Sequence, residues 1–328
     1  NPNYAPIVTM TDTSRHEPVL LETVLELLAP QAGEVVLDCT VGLGGHASAI
    51  VPRIRPGGRY VGLDMDPHNL AAARQRLTPV ADKQGVTVDL VHSNFAGALQ
   101  VLTDLGVTCA NVVLADLGFS SNQMSDASRG LSFSSDGPLD MRLDPSLGQS
   151  AADLVNTIGE GDLADALWRL GEERLSRKIA AKIVAVRRAT PIKTTGELAR
   201  LVREIYGRAG TRVRIDPATR TFMALRIAVN GELEALDRLL ADLPAITGES
   251  SEARIGLISF HSLEDRPIKR AMSVWARQGI ATVLTPKPRM ADEYECNRNP
   301  RSRSAKLRAC RMHTAPDTRH NGNESHDT

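Results

Sequence analysis

The run Val35-Val36-Leu37-Asp38-Cys39-Thr40-Val41-Gly42-Leu43-Gly44-Gly45-His46 restricts what this chain can fold into more than any other segment. It reads as a short apolar strand that ends in an acid and turns through glycines into a helix. A second strand-like run, Tyr60-Val61-Gly62-Leu63, delivers Asp64 about 20 residues after the glycines, the spacing of a nucleotide-binding βαβ unit. Glycines let the backbone pass close to a ligand, and Asp64 can accept hydrogen bonds from two ribose hydroxyls. Together they call for a bound adenosine cofactor.

Two cofactors suit this loop. Gly42-Leu43-Gly44-Gly45-His46-Ala47 fits the dinucleotide fingerprint with Ala in the third glycine position, which makes an NAD-dependent oxidoreductase one reading. Asp38 favours another. A carboxylate four residues before Gly42 would oppose a pyrophosphate but suits the ammonium of a methionine moiety. S-adenosylmethionine (SAM) is therefore the expected cofactor, with Asp38 and Gly42 in its binding shell. A glycine turn that binds nothing is the remaining reading.

Composition narrows the class. With 328 residues, 42% of them hydrophobic, the chain can bury one large core or a core with an appended lobe. Cys39, Cys109, Cys296 and Cys310 lack CxxC spacing, so neither zinc nor a disulfide framework is expected, and a cytoplasmic location fits. No apolar run approaches the roughly 20 residues that span a bilayer, so no membrane partner is expected. Net charge is zero, yet residues 168–228 hold 15 Lys/Arg against 5 Asp/Glu, while residues 1–118 hold 7 against 12. An acidic cofactor half joined to a basic half is what an enzyme acting on a polyanion needs; solvated helix faces are the competing explanation. Aromatics make up only 3%, which disfavours a stacking platform and leaves phosphate contacts plus one extruded base.

Along the chain, helical spacing at 19–28 precedes strands at 35–39, 60–64, 86–92 and 111–115, with helices from Gly45 and after Asp66-Pro67. Strands separated by helices predict a parallel, doubly wound sheet. Residues 118–149 form a long loop whose Phe119, Leu131, Phe133 and Met141 favour an ordered lid. Helices follow: one capped by Ser150, one capped by Asp162, one over 172–188, and one over 198–206 behind the capping box Thr194–Glu197. A further helix is expected from Asp216-Pro217 to about Leu240, and strands return at 255–260, 281–284 and 305–311. The fold class is thus α/β, a Rossmann-like sheet with an inserted all-α domain. The expected division is 15–122 with 216–312 for the cofactor domain and 123–215 for the inserted loop and substrate-recognition helices, with disordered ends at 1–14 and 313–328.

Ligands of open α/β sheets gather at the carboxyl ends of the strands. Those ends supply Asp38, Asp64, Phe95, Asp116 and His261. Phe95 could lie against adenine or fill the core. His46 could contact SAM or bond a backbone carbonyl at the helix start. Asp116-Leu117-Gly118-Phe119 loosely resembles the acid-x-x-aromatic motif with which amino-group methyltransferases hold an exocyclic amine. Hydrogen bonds from such an amine to Asp116 and to the Leu117 or Gly118 carbonyl favour a pyramidal nitrogen, freeing its lone pair for in-line attack; Gly118 permits close approach.

Several strings then coincide: His16-Glu17-Pro18-Val19-Leu20-Leu21, Gly42 to His46, Asp116 to Ser121, and Asp136-Gly137-Pro138-Leu139-Asp140-Met141-Arg142. Gly171-Glu172-Glu173-Arg174, Thr219 to Phe222 with Arg226, and Ile258 to Arg266 complete the set. In this order they closely resemble the RsmH (MraW) family, over about residues 16–312. The resemblance implies a SAM-dependent methyltransferase acting on N4 of a decoding-centre (P-site) cytidine of 16S rRNA, within the small ribosomal subunit. Its SAM contacts fall on Gly44, Gly45, His46, Asp64, Phe95, Asp116 and Gln123. Asp140 and Arg142 are the candidates for a loop closing over the flipped cytidine, or else form a salt bridge inside the loop. His261 either orients the base or packs. No metal and no covalent enzyme intermediate are expected, since an exocyclic amine needs no cysteine attack on the ring. A non-catalytic RNA-binding protein on the same scaffold, and a homodimer, stay open.

Overall fold

The computed structural model describes residues 17–146, 148–210, 215–248, 250 and 252–313. The ends that the sequence marks as disordered lie outside these residues, save for His313 of the tail. Seven strands form one sheet: β1 Val35–Asp38, β2 Arg59–Asp64, β3 Thr87–His92, β4 Val112–Asp116, β5 Arg254–Ser259, β6 Ala281–Val283 and β7 Lys306–Met312. Their order is β3-β2-β1-β4-β5-β7-β6. Strands β1 to β5 pair in parallel, whereas β7 runs antiparallel to both β5 and β6. The sheet is therefore mixed at one edge, which corrects the expectation of a purely parallel one. A run such as Lys306–Met312 carries no local mark of direction; the return path of the chain decides it.

Helices α1 Leu21–Leu28, α2 Gly45–Ile50 and α3 Pro67–Gln84 cover one face of the sheet, where Val36, Tyr60, Leu114 and Leu307 are buried. On the other face Leu37, Leu63, Val113 and Leu257 meet α4 Ala98–Asp104 and later helices. Successive residues of β4 alternate between the two faces, and all of Val112, Val113, Leu114 and Ala115 are buried. That two-sided burial explains why β4 reads as an unbroken apolar run. Because the chain winds outward in both directions from β1 and β4, their carboxyl ends diverge into a crevice.

A short helix α5 Ser121–Ser125 opens the long loop after β4. Next come α6 Ala151–Thr157, α7 Glu160–Gly171, α8 Ser176–Arg187, α9 Thr195–Arg208 and α10 Ala218–Asn230. Leu131, Leu139, Met141 and Leu143 of the loop are buried with these helices in a core separate from the sheet's. Ser150 and Thr194 cap α6 and α9 as expected, each with a reciprocal capping box. Three helical expectations change. Asp162 lies inside the first turn of α7, which starts after Gly159. The helix expected over 172–188 begins only at Ser176, because Glu172 takes φ 49° and the buried Glu173 turns inward to accept from Tyr206 Oη at 2.6 Å. The long helix from Asp216 breaks at Gly231 (φ 58°) into α10 and α11 Glu232–Thr247.

That break also marks a packing border. Phe222, Ala224 and Leu225 of α10 belong to the helical core, whereas Leu236, Leu239 and Leu243 of α11 belong to the sheet. The helical core accordingly takes in α10 as far as Val229. Two more helices complete the chain, α12 Ser262–Arg277 against the sheet and α13 Glu293–Arg298 before β7. No helix among the described residues is long and apolar enough to cross a membrane.

Candidate active site

A crevice opens at the ends of β1, β2 and β4, lined among others by Thr40, Gly42, Asp64, Phe95 and Asp116. Gly42 (φ 53°) and Gly44 (φ 80°) take backbone conformations that side chains disfavour; Gly42 lines the crevice, while a β-carbon on Gly44 would stand 3.6 Å from that of Ala73 in α3. A β-carbon on Gly45 would come within 3.3 Å of Pro18, so the loop also needs small residues to pass beneath the N-terminal segment. Asp64 braces this loop: its Oδ2 accepts from the Gly42 amide at 2.8 Å and its Oδ1 from the Asp66 amide at 2.7 Å. Burial pushes the Asp64 carboxyl up to about 6, against these hydrogen bonds. Asn69 Nδ2 stands 3.4 Å from both oxygens as a longer second donor. Phe95 lines the same crevice.

Asp116 stands at the centre. Its amide donates to Thr40 Oγ1 at 2.6 Å, which pins the end of β4 to the loop after β1. Its Oδ1 is buried without a hydrogen-bond partner. Burial raises the Asp116 carboxyl to about 7, with Arg301 opposing and Glu264 adding to the rise. An orphaned, desolvated carboxylate beside a ligand-sized opening is a site built for a cation or a hydrogen-bond donor. His46 Nδ1 lies 3.9 Å from Asp116 Oδ2. Its Nε2 is 3.0 Å from the Val19 carbonyl, which can only accept, so Nε2 holds the ring proton and Nδ1 presents a lone pair. Burial lowers the His46 pKa despite the nearby Asp38. His46 thus bonds a backbone carbonyl and also lines the crevice.

The structure does not bring every expected residue here. Asp38 is 1% exposed and enclosed by Tyr60 Oη at 2.5 Å and the Thr40 amide at 3.0 Å. It organises the strand end and does not line the crevice. Gln123 lines the crevice, but its Nε2 donates to Asp66 Oδ2 at 2.8 Å and its Oε1 accepts from the Ser120 amide at 2.9 Å. Asp140 and Arg142 form a two-pronged pair at 2.8 and 2.7 Å and do not line the crevice. The internal salt bridge prevails because the pair closes a tight turn around Met141, whose φ is 64°. Leu143 lines the crevice in their place.

His261 also lies behind the site. It sits 3.2 Å from Glu264 Oε1, whose other oxygen accepts from the Phe260 amide at 2.8 Å. Burial works against the Glu264 charge, but His261, the Phe260 amide and Arg226 hold its carboxyl below the usual range. Arg226 makes two 2.8 Å bonds to Glu232 and lies 4.8 Å over the Phe119 ring. Glu232, His261 and Glu264 are close enough together to hold a metal ion, yet the Arg226 guanidinium already neutralises Glu232. This network buttresses Gly118 (φ 98°) and Phe119 from behind; the Phe260 ring is 3.7 Å from where a β-carbon on Gly118 would stand.

Arg301, which lines the crevice, and Arg129, which does not, both escape sequence reasoning. Arg301 donates to the Phe119 carbonyl at 2.9 Å and to Ser121 Oγ at 2.5 Å, across 180 residues of chain. Its string Asn299-Pro300-Arg301-Ser302-Arg303 is basic, but nothing local points it at the site. Arg129 bonds Asp66 at 2.9 Å and the carbonyls of Arg142 and Leu143 at 3.1 and 2.7 Å. With His92–Asp144 at 3.1 Å it fastens the loop to the cofactor side.

A seven-stranded sheet with a reversed β7, a glycine turn after β1, an acid ending β2 and an acid-x-x-aromatic motif ending β4 defines a Rossmann-like SAM-dependent methyltransferase. The profile of the MraW methylase family matches residues 13–313, and the chain belongs to this family. The ribosomal RNA small subunit methyltransferase H of Geotalea uraniireducens (strain Rf4) is 44% identical over 310 residues, covering 90% of this chain and 97% of its own. The proteins of the same name from Acidobacterium capsulatum and Thermobifida fusca (strain YX) are 45% and 41% identical. They cover 91% and 96% of this chain and 98% of their own in both cases. Membership sets aside the NAD-dependent reading; the cofactor is SAM.

Proposed function

We propose that this methyltransferase modifies N4 of the decoding-centre (P-site) cytidine of 16S rRNA, within the small ribosomal subunit, on a base flipped out of its stack. The observation that carries this reading is the unpartnered Asp116 Oδ1, buried beside the crevice at the head of Asp116-Leu117-Gly118-Phe119. SAM, when bound, supplies an electrophilic methyl group. Asp64 takes the ribose hydroxyls, Phe95 flanks the adenine, and the amides of Gly44 and Gly45 with His46 Nδ1 bound the methionine end. The names of the relatives support rRNA as the substrate.

Asp116 and the Leu117 or Gly118 carbonyl accept hydrogen bonds from the two amine N–H groups, and the nitrogen becomes pyramidal. Its lone pair then points at the methyl group, so orientation and fixed dipoles supply the rate enhancement. Asp116 must be ionised to do this. A pKa of about 7 makes ionisation conditional, and a cationic donor nearby favours the charged form. The surplus proton of the methylated amine leaves to water without a dedicated base. Arg174, Arg177 and Lys178, exposed around the start of α8, meet RNA phosphates. Not all of the basic count is available for this: Arg187 caps the Val155 and Ile158 carbonyls at 2.6 Å, and Arg203 pairs with Asp216. Arg212 and Arg214 lie outside the described residues.

The deciding experiment is nucleoside mass spectrometry of 16S rRNA from cells without this protein, followed by remethylation of those subunits with purified enzyme and SAM. The N4 methyl mark should be missing and then restored. Its persistence in the deletion would overturn the assignment. Binding of SAM and subunits without methylation would leave a non-catalytic RNA-binding protein.

A further inference from the structure

The geometry points to a second phosphate-binding site, a basic groove between α12 and the β6–β7 edge that takes the rRNA backbone away from the target base. It rests on the reading that rRNA is the substrate. Lys269, Arg270, Ser273 and Arg277 of α12 line one wall, Pro286 stands on the other, and Arg308 of β7 reaches the floor. No carboxylate lines the groove. Residues 269, 273 and 277 follow the four-residue spacing of one helix face, with Arg270 beside them. Lys269, Arg270 and Arg277 are exposed, and no ion pair within 4.0 Å involves them among the described residues.

Arg308 differs from its neighbours. It is only 6% exposed, and Asp265 holds its Nε at 2.6 Å and one terminal nitrogen at 3.2 Å. A guanidinium fixed in this way loses little conformational entropy when it meets an anion, unlike the surface lysines and arginines around it. Asp265 offsets one charge, and Lys306 lies 3.9 Å from the same carboxylate. The groove is therefore strongly positive in a chain whose net charge is zero. Concave walls of one sign concentrate the field and favour a polyanion over a single small anion.

Position favours an RNA strand that also enters the crevice. Helix α12 starts directly after His261, behind the Phe119 loop, and leads outward to the groove. At 1.5 Å per residue, Lys269 lies roughly 12 Å and Arg277 roughly 24 Å along the axis from His261. Phosphates several nucleotides from the flipped base can span that distance.

The test removes three exposed charges together, Lys269→Gln, Arg270→Gln and Arg277→Gln, and leaves the packed Arg308 alone. Filter binding to small ribosomal subunits across a salt series reads the affinity. The variant should bind at least about ten-fold more weakly near 0.1 M salt. Its log–log salt dependence should be shallower by about 2, since each phosphate contact contributes roughly 0.7–0.9. SAM affinity and turnover at saturating subunits should match the unaltered protein. An unchanged affinity and slope would overturn the site. So would equal weakening in a control with Arg53, Arg55 and Lys83 changed to Gln, which would trace the effect to net charge. Competition by polyphosphate but not polyglutamate should confirm phosphate chemistry; equal competition counts against it. If the unaltered protein binds subunits and never methylates them, the proposed function fails while the groove is still judged by the binding series.

Discussion

Asp116 illustrates how one side chain ties charge to function. Its carboxyl sits near 7 because burial outweighs the Arg301 guanidinium. For a carboxyl raised above its unfolded value of 3.8, the stability it contributes is complete below that value and lost as pH rises through about 7. Asp64, raised to about 6, adds the same trend one step earlier. The ligand-free protein should therefore lose some thermal stability between about pH 4 and 8 on these two counts. Cationic SAM prefers both groups ionised, so its affinity should rise across about pH 5.5–7.5 with proton release, measurable by calorimetry in buffers of different ionisation enthalpy. Asp116→Ala should cut turnover by about 10²–10³-fold or more, the scale of losing a key transition-state contact, and weaken SAM binding. Asp64→Ala should chiefly raise the SAM requirement. Arg301→Met should move the acid limb of the rate profile to higher pH, because it removes the main influence lowering Asp116; an unmoved limb would show that Arg301 acts only through the Phe119 carbonyl.

At the scale of elements, capping and turn chemistry were readable from short strings. Ser150 and Thr194 start helices through bonds to residues three positions away, so their signals are local. The interruption at Glu172 was hidden, since a helical pattern continues through it and the cause is a distant tyrosine. Tyr206→Phe removes the 2.6 Å partner of Glu173, a fully buried acid whose Oε2 already lacks one. With only the Leu175 amide left on that acid, at 2.8 Å, the lost bond should cost about 1–3 kcal/mol, read by urea unfolding of the whole chain. Gly171→Ala should destabilise by a similar amount, about 1–3 kcal/mol of overpacking. The added carbon would stand 2.5 Å from the Arg220 carbonyl where α7 crosses α10.

For the whole molecule, the inserted helices join the sheet at both ends, and the intervening loop is fastened across the cofactor side by Arg129–Asp66 and His92–Asp144. Affinity for subunits should fall steeply with salt, because exposed Arg174, Arg177 and Lys178 act through phosphates; a flat response in the same filter-binding series would argue against backbone-led recognition. Arg129→Gln should loosen the loop without touching Asp116, seen as faster amide exchange over residues 140–146.

What the sequence alone determined are the features encoded within a turn or two of chain: the strands, the glycine turn, the acids at the strand ends, and hence a SAM site on an α/β sheet with helices inserted after β4. Only the tertiary structure decided that Asp38 and Gln123 spend their polar atoms on protein partners, that Asp140 and Arg142 serve the loop, and that Arg301 closes the site. Those outcomes depend on which distant groups arrive to satisfy each donor and acceptor, and desolvation makes that competition decisive. No spacing along the chain records it.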